Sequence, residues 1–461
     1  MLYKSGGKNM SGFKFYLIAD PHYFKNSLGA RGKDYDNFMH YEQKCFAETQ
    51  SINEAVFAYL DEAKEADTVL IAGDLIFNGE KESHLAFRKL LEELKKSGKK
   101  VYVITADHDF AEDEKGCIAF DETGRLYPKN TKREELFDLY YDYGFKDAIA
   151  VDKQHLSYVA QLSDGIRLLA LNNDGASDGG RHFDEEQIAW IKEQTKKARE
   201  DNQMMIAMNH YPLMPGQPIF SVISSTYQKG GYDVCEMLAD EGVHLVFTGH
   251  MHNNSINEHT SKNGNKIYEV CTGSIIADPS VIRLVEIEDP ETVKIQTLPT
   301  PDFKWDTKGK TCKQYLSDLF DNMIVNVIQD MAYDTDRMMN KFGINKKLKP
   351  VLKFVGKILN KTTVGGLARL LFIKVDKSIK KVKVKDVGKD FVRVIFEGNQ
   401  PYVKGTPIGD AIIAVFTKLN PILKKINLKG WDGERADLLD LIINSAGNYD
   451  IDDYNATLKL K

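Results

Sequence analysis

Five short strings in this 461-residue chain are built from residue types that bind metal ions: Asp20-Pro21-His22, Gly73-Asp74, Ala106-Asp107-His108-Asp109, Asn209-His210 and Gly249-His250-Met251-His252. Five of the eleven histidines fall inside them, and imidazole nitrogen mixed with carboxylate oxygen suits zinc, iron and manganese. In extended backbone, residues i and i+2 point to the same side. Asp20 and His22 can therefore serve one ion together, and His250 and His252 can face two adjacent ions. Pro21 fixes the backbone between the first pair, while Gly73 and Gly249 permit a sharp turn and a close approach. Each string alone has an ordinary reading, since Gly-Asp after a strand is commonly a turn. All five in this order point to a two-metal site.

The surrounding elements explain how such strings could meet. Apolar, β-branched runs recur at Phe13–Ala19, Thr68–Ala72, Lys100–Thr105, Arg167–Leu171, Met204–Met208 and His244–Thr248. Between them Glu42–Lys64, Lys81–Lys96, Asp184–Glu200 and Gly230–Asp240 carry apolar residues at helical spacing. Strand, helix and strand in alternation predict an α/β fold with a mainly parallel β-sheet core and helices on its faces. Every run but one ends in one of the five strings, and in open α/β sheets the ligand crevice lies outside the carboxyl ends of the strands. A hairpin, Ile282–Ile287 and Val293–Leu298, is expected to close this first domain, 12–300. A mostly helical C-terminal domain is expected over 301–461, with one helix face marked from Tyr315 to Ile328 and further helical stretches at 346–360, 364–373, 407–418 and 433–445, and with a short hairpin admitted within 376–397.

The ordered set D-x-H, G-D, an N-H-[DE]-like string, H and G-H-x-H resembles the calcineurin-like metallophosphoesterase family over about residues 12–300. Phe183 through Trp190 (FDEEQIAW) is similar to that family's helix start with its Gln-x-x-Trp, and Thr272-Gly273-Ser274 follows the last parallel strand. The resemblance implies an α/β sandwich binding two divalent or mixed-valence ions, Mn, Fe or Zn. It implies one ion held by Asp20, His22 and His252, the other by His210, His250 and Asp107, with Asp74 bridging them. His108 would stand over the substrate as acid or phosphate ligand, and Asp109 would orient its ring. The implied activity is hydrolysis of a phosphodiester or phosphomonoester by a metal-bridging hydroxide, which two ions about 3.5–4 Å apart make available at neutral pH.

Asp107 departs from the family's usual Asn. A third carboxylate makes the centre less positive, so it attracts and polarises an anionic ester less. It could hold its ions more firmly, or select a harder ion such as Mn or Fe(III); the alternative is that Asp107 does not ligate. For His108 the alternative is a packing role. Substrate choice falls to the segments between the strings. Residues 23–45 offer Lys25, Arg31, Lys33 and Tyr35 for a substrate's distal anionic part, and 111–135 and 213–229 are further rims.

Composition narrows the class. At 42% hydrophobic and 28% charged residues the chain is neither disordered nor an integral membrane protein, and no run approaches the roughly 18 apolar residues that span a bilayer. Five scattered cysteines without a C-x-x-C pair, and no apolar leader, suggest a reduced, cytoplasmic protein. The net charge of -5 hides a basic C-terminal region: residues 341–430 hold 21 Lys+Arg against 5 Asp+Glu. There Lys347–Lys361 sets apolar residues on one face and lysines opposite. Such a helix could lie on an anionic membrane, or pack its apolar face on the catalytic domain with the lysines solvated. No specific nucleic-acid motif is present. The rival to an enzyme is a catalytically weak interaction protein of the same fold, acting through this basic domain.

Overall fold

The computed structural model describes residues 12–176, 180–342, 346, 349–448 and 451–461. Its strands, in chain order, are β1 (Phe13–Ile18), β2 (Thr68–Ala72), β3 (Lys100–Ile104), β4 (Ala119–Asp121), β5 (Gly124–Leu126), β6 (Ala150–Asp152), β7 (Ser157–Ser163), β8 (Ile166–Ala170), β9 (Met204–Met208), β10 (Leu245–Thr248), β11 (Ser255–Thr260), β12 (Lys266–Cys271), β13 (Val281–Asp289), β14 (Thr292–Pro299), β15 (Gln400–Pro401), β16 (Gly447–Asn448) and β17 (Asn455–Lys459). The helices are α1 (Lys33–Met39), α2 (Thr49–Glu62), α3 (Lys81–Lys96), α4 (Arg133–Leu139), α5 (Glu185–Glu200), α6 (Gly231–Asp240), α7 (Cys312–Tyr333), α8 (Thr335–Lys341), α9 (Lys349–Lys361), α10 (Val364–Leu371), α11 (Val384–Glu397), α12 (Pro407–Leu423) and α13 (Leu438–Ala446).

Two sheets pack face to face. One runs β17-β14-β13-β1-β2-β3 and the other β11-β12-β10-β9-β8-β7-β6. Crossover helices decide where strands are parallel: α2 and α3 join β1, β2 and β3, and α5 and α6 join β8, β9 and β10. Short turns make the flanking pairs antiparallel, as between β13 and β14 or β7 and β8. The α/β class is therefore present, with mixed sheets in which antiparallel strands extend a parallel set. β2 (TVLIA) is buried at every position, as a strand covered on both faces must be. Between the sheets the Phe15 and Phe247 rings meet edge-on at 5.4 Å, and the Tyr158 hydroxyl donates to the Val103 carbonyl at 2.8 Å.

The C-terminal segment is mostly helical. α7 buries Leu316, Phe320, Ile324 and Ile328, one stripe at four-residue spacing. Within 376–397 the alternating Lys381–Lys385 run forms no hairpin; α11 starts at Val384, where Val387, Phe391, Val394 and Ile395 return to helical spacing. Of the amphipathic stretch, Lys347 and Leu348 lie outside the described residues. α9 half-buries Leu352, Ile358 and Leu359 while leaving Phe354 64% exposed. The chain then returns to the first sheet, where β17 pairs with β14. No helix among the described residues is long and apolar enough to cross a membrane.

This segment braces the loops around the carboxyl ends of the strands. The Tyr315 hydroxyl donates to Glu48 at 2.5 Å, and Asp330 accepts from Tyr41 at 2.6 Å. Trp431 donates to the Leu213 carbonyl at 2.8 Å, and Asp453 accepts from the Ile256 amide at 2.7 Å.

Candidate metal centre

Three of the strings follow β1, β2 and β3 of one sheet, and two follow β9 and β10 of the other. Their side chains meet where the two sheets' carboxyl ends face each other. Donor atoms of Asp20, His22 and His252 lie within 4.8 Å of one another; so do those of Asp74, Asp107, His210 and His250, and those of His22, Asp74 and His108. His22 and His252 present Nε2 to Nε2 at 3.0 Å, and Asp74 Oδ2 lies 3.5 Å from His22 Nε2 and 3.1 Å from His210 Nε2. Asp20 Oδ1 is 3.4 Å from His252 Nε2. Asp74 thus stands between the two groups.

The backbone is strained where these residues lie. Asp20, His22, Asp74, His250 and His252 all have positive φ, between 39° and 67°, a region costly for residues with a Cβ. Gly73, at φ 87°, lies so close to the His210 ring that a Cβ would approach its Nδ1 to 2.6 Å. Neighbouring hydrogen bonds fix the donors. Asp20 accepts the His250 amide on both oxygens at 3.0 Å, and the Ser274 hydroxyl donates to the Asp20 carbonyl at 2.7 Å. His210 Nδ1 lies 2.7 Å from the Ala72 carbonyl. A carbonyl only accepts, so Nδ1 carries the proton and the Nε2 lone pair faces the cluster.

The electrostatics suit cations. Asp20 and Asp74 are fully buried, a costly place for carboxylates without a countercharge. Burial would raise Asp74, yet the rings of His210, His108 and His22 hold it well below the usual carboxylate range. Burial opposes a charged His210, but Asp74 outweighs it and keeps that ring well above its usual value. Burial and then the charged His210 push His250 down to about 4. Among the described residues His210 Nε2 and Asp107 Oδ1 are both buried without a hydrogen-bond partner, so the donor set fits metal ions.

His108 stands beside His22, the ring centroids 4.8 Å apart. Its Nδ1 donates to the Phe77 carbonyl at 2.5 Å, and its amide donates to Asp74 Oδ1 at 3.2 Å. Asp109, expected to orient this ring, is a correction. Its carboxylate accepts the amides of Ile76 at 2.9 Å and Ala106 at 2.8 Å. The short 3-10 turn at Asp107–Asp109 points it back under the backbone, tying the end of β3 to the segment after β2.

Two cations beside the centre escaped the reading of motifs. Arg181 pairs with Asp107 Oδ2 at 2.8 Å and lies 3.9 Å from Asp174. Lys44 lies over the Phe77 ring at 4.6 Å. Among the rim residues singled out, Lys25 is engaged with Glu82 at 2.7 Å, Tyr35 packs on Phe46 and Phe120, and Arg31 and Lys33 are exposed. No local sequence pattern marks either cation, because the burial of Lys44 and its place over Phe77 come from the tertiary packing.

Residues 13–254, over half of the chain, match the calcineurin-like phosphoesterase family. No curated protein matches the sequence. Among solved structures, a dimetal phosphatase from Danio rerio is similar at 14% identity and TM-score 0.44, over 63% of this chain and 96% of that one. Purple acid phosphatase PPD1 of yellow lupin is similar at 13% and 0.42, over 64% of this chain and 52% of that one. The NAD nucleotidase of Haemophilus influenzae is similar at 13% and 0.35, over 77% and 62%. This chain thus spans about half of the lupin protein and under two thirds of the Haemophilus one.

Proposed function

The chain belongs to the calcineurin-like phosphoesterase family and is a metal-dependent hydrolase, and we propose that it cleaves a phosphoester at two ions held by Asp20, His22 and His252 on one side and His210, His250 and Asp107 on the other, with Asp74 shared. The observation that carries this reading is the convergence of donors from both sheets into two adjoining groups with Asp74 between them. When bound, the two ions, Mn, Fe or Zn, supply a nucleophilic water at neutral pH and polarise the phosphoryl oxygen.

The chain's own residues do the rest. The His250 amide aims the Asp20 carboxylate, and the His108 amide takes one oxygen of Asp74, leaving Oδ2 toward His22 and His210. With Nδ1 fixed on the Phe77 carbonyl, Nε2 of His108 is the atom that can hold a phosphoryl oxygen or deliver a proton to the leaving oxygen. Asp109 is a positioning residue for that turn. Arg181 offsets the charge of Asp107, the residue that departs from the family pattern.

The test is metal analysis of the purified protein together with turnover of 4-nitrophenyl phosphate and bis(4-nitrophenyl) phosphate. Two ions per chain with turnover of either ester is the expected result. Bound metal without turnover would favour the interaction protein.

A weak contact with anionic membranes through residues 341–430 is a second proposal. It is favoured by Phe372, which is 91% exposed and held at φ 56°, next to Leu370 at 58% and flanked by Arg369 and Lys374. A bulky side chain held outward on strained backbone, among cations, suits a lipid surface.

A further inference from the structure

A lysine that buries its stem and meets no carboxylate holds its ammonium ready for an anion arriving from solvent. Lys44 is only 8% exposed, and among the described residues no carboxylate lies within ion-pairing distance of its Nζ. The carboxylate it influences, Glu80, is occupied elsewhere, accepting the Asn78 amide at 3.0 Å and the Ile118 amide at 3.3 Å. What Lys44 does touch is the Phe77 ring, and Phe77 belongs to the metal centre's wall. Its carbonyl takes the His108 Nδ1 proton, and its ring stands 6.0 Å from that of His22.

The loop carrying Lys44 is fixed on both sides. Tyr41 donates to Asp330 and Tyr315 to Glu48, and the Cys45 amide donates to the Ile276 carbonyl at 3.1 Å. A cation with a buried stem, without a carboxylate partner among the described residues and carried by a loop held on both sides next to the metal ligands' wall, has the character of a preorganised anion-binding group.

We propose that Lys44 is the anion-recognition residue of this site, pairing with a non-bridging phosphoryl oxygen on the His22–His108 side and so favouring dianionic phosphomonoesters over monoanionic diesters. The inference rests on the hydrolytic reading above and deepens it. Charge supports it: Arg181 cancels Asp107, and Lys44 then adds positive charge that a dianion uses and a monoanion uses less. Lys44 touches substrate without forming or breaking a bond.

The experiment compares metal-loaded wild type with Lys44→Met and Lys44→Arg. It measures inorganic phosphate binding by titration calorimetry, and kcat/KM for 4-nitrophenyl phosphate and bis(4-nitrophenyl) phosphate. In Lys44→Met, phosphate affinity and monoester kcat/KM should each fall about tenfold or more, the scale of one charge-assisted contact. The diester should lose less than about threefold, bound metal should stay unchanged, and Lys44→Arg should recover part of the loss. Equal losses on both esters, or unchanged phosphate affinity in folded, metal-loaded Lys44→Met, would overturn the proposal. If Lys44→Met does not fold, Lys44→Gln carries the same comparison; failure of both to fold makes Lys44 structural and also overturns it. The phosphate arm separates this proposal from the hydrolytic one: wild type that binds phosphate through Lys44 yet turns over neither ester contradicts hydrolysis alone.

Discussion

Arg181 reaches across the rim of the metal centre to Asp107, Nη1 to Oδ2, at 2.8 Å. The carboxylate that departs from the family pattern is therefore already paired, and its charge need not weaken the centre. Asp107→Asn leaves Arg181 only its longer contact with Asp174 and makes the site more positive; Arg181→Met removes the partner of Asp107 and makes it more negative. For an anionic ester, kcat/KM should rise in the first and fall in the second, by about three- to tenfold because the half-exposed arginine is screened. The double variant should return toward the parent. Loss of metal to a chelator should rank in the same direction, greatest in Asp107→Asn and least in Arg181→Met. If neither single variant moves kcat/KM, the pair does not act on the centre.

Asp74 lies within reach of His22 and His210, on the two sides of the centre. Asp74→Asn is expected to lower turnover by roughly a hundredfold or more, equivalent to several kcal/mol of lost metal assistance, and to drop bound metal below two ions per chain. Full activity with both ions retained would remove Asp74 from the site.

His108 reaches Asp74 through its amide, and its ring is tethered to Phe77. His108→Ala should leave metal content nearly intact. Poor leaving groups should slow by about 10²–10⁴-fold, the range of general acid catalysis, while activated aryl esters lose far less. A similar loss on both would make His108 a phosphate ligand.

His155 is buried between Asp152, at 2.6 Å, and Asp184, at 3.2 Å, the latter also capping α5 through the Gln187 amide. Burial opposes its charge, but the two carboxylates outweigh it and raise its pKa. A folded value above the unfolded one gives stability that is complete below the unfolded value, about 6.5, and is lost as pH rises through the folded value. His155→Gln should therefore lower stability by about 2 kcal/mol near pH 5.5, the scale of hydrogen bonds to a charged group, and by less near pH 9. Thermal melts at the two pH values decide it, and equal losses would mean a ring held neutral.

The Leu370–Phe372 tip invites a lipid test. Vesicles containing anionic lipid should co-sediment the protein at low salt and release it at high salt, with up to roughly 1 kcal/mol per lysine that reaches the surface. Leu370→Ser with Phe372→Ser should weaken binding without changing esterase activity. Absence of binding leaves the C-terminal segment the bracing role seen on either side of this region, at Tyr315, Asp330 and Trp431.

The sequence by itself determined the donor strings and their places at strand ends, because both are local. Residue type fixes the chemistry, and short apolar runs fix the strands that end at Asp20, Asp74, Asp107, His210 and His250. It also carried the alternation that makes parallel strands and their crossover helices, as α3 shows by spanning Lys81–Lys96 as expected. Only the tertiary structure decided that the strings divide between two sheets, that Asp109 serves the backbone and not the His108 ring, and that Arg181 and Lys44 are the cations at the centre. These relationships join residues far apart in sequence: Arg181 meets Asp107 across 74 positions, and Tyr315 braces the Lys44 loop through Glu48 across 267. No local periodicity encodes such a pairing, because which loop faces which depends on how two sheets and a returning C-terminal segment pack, and the free energy of that packing is spread over the whole core.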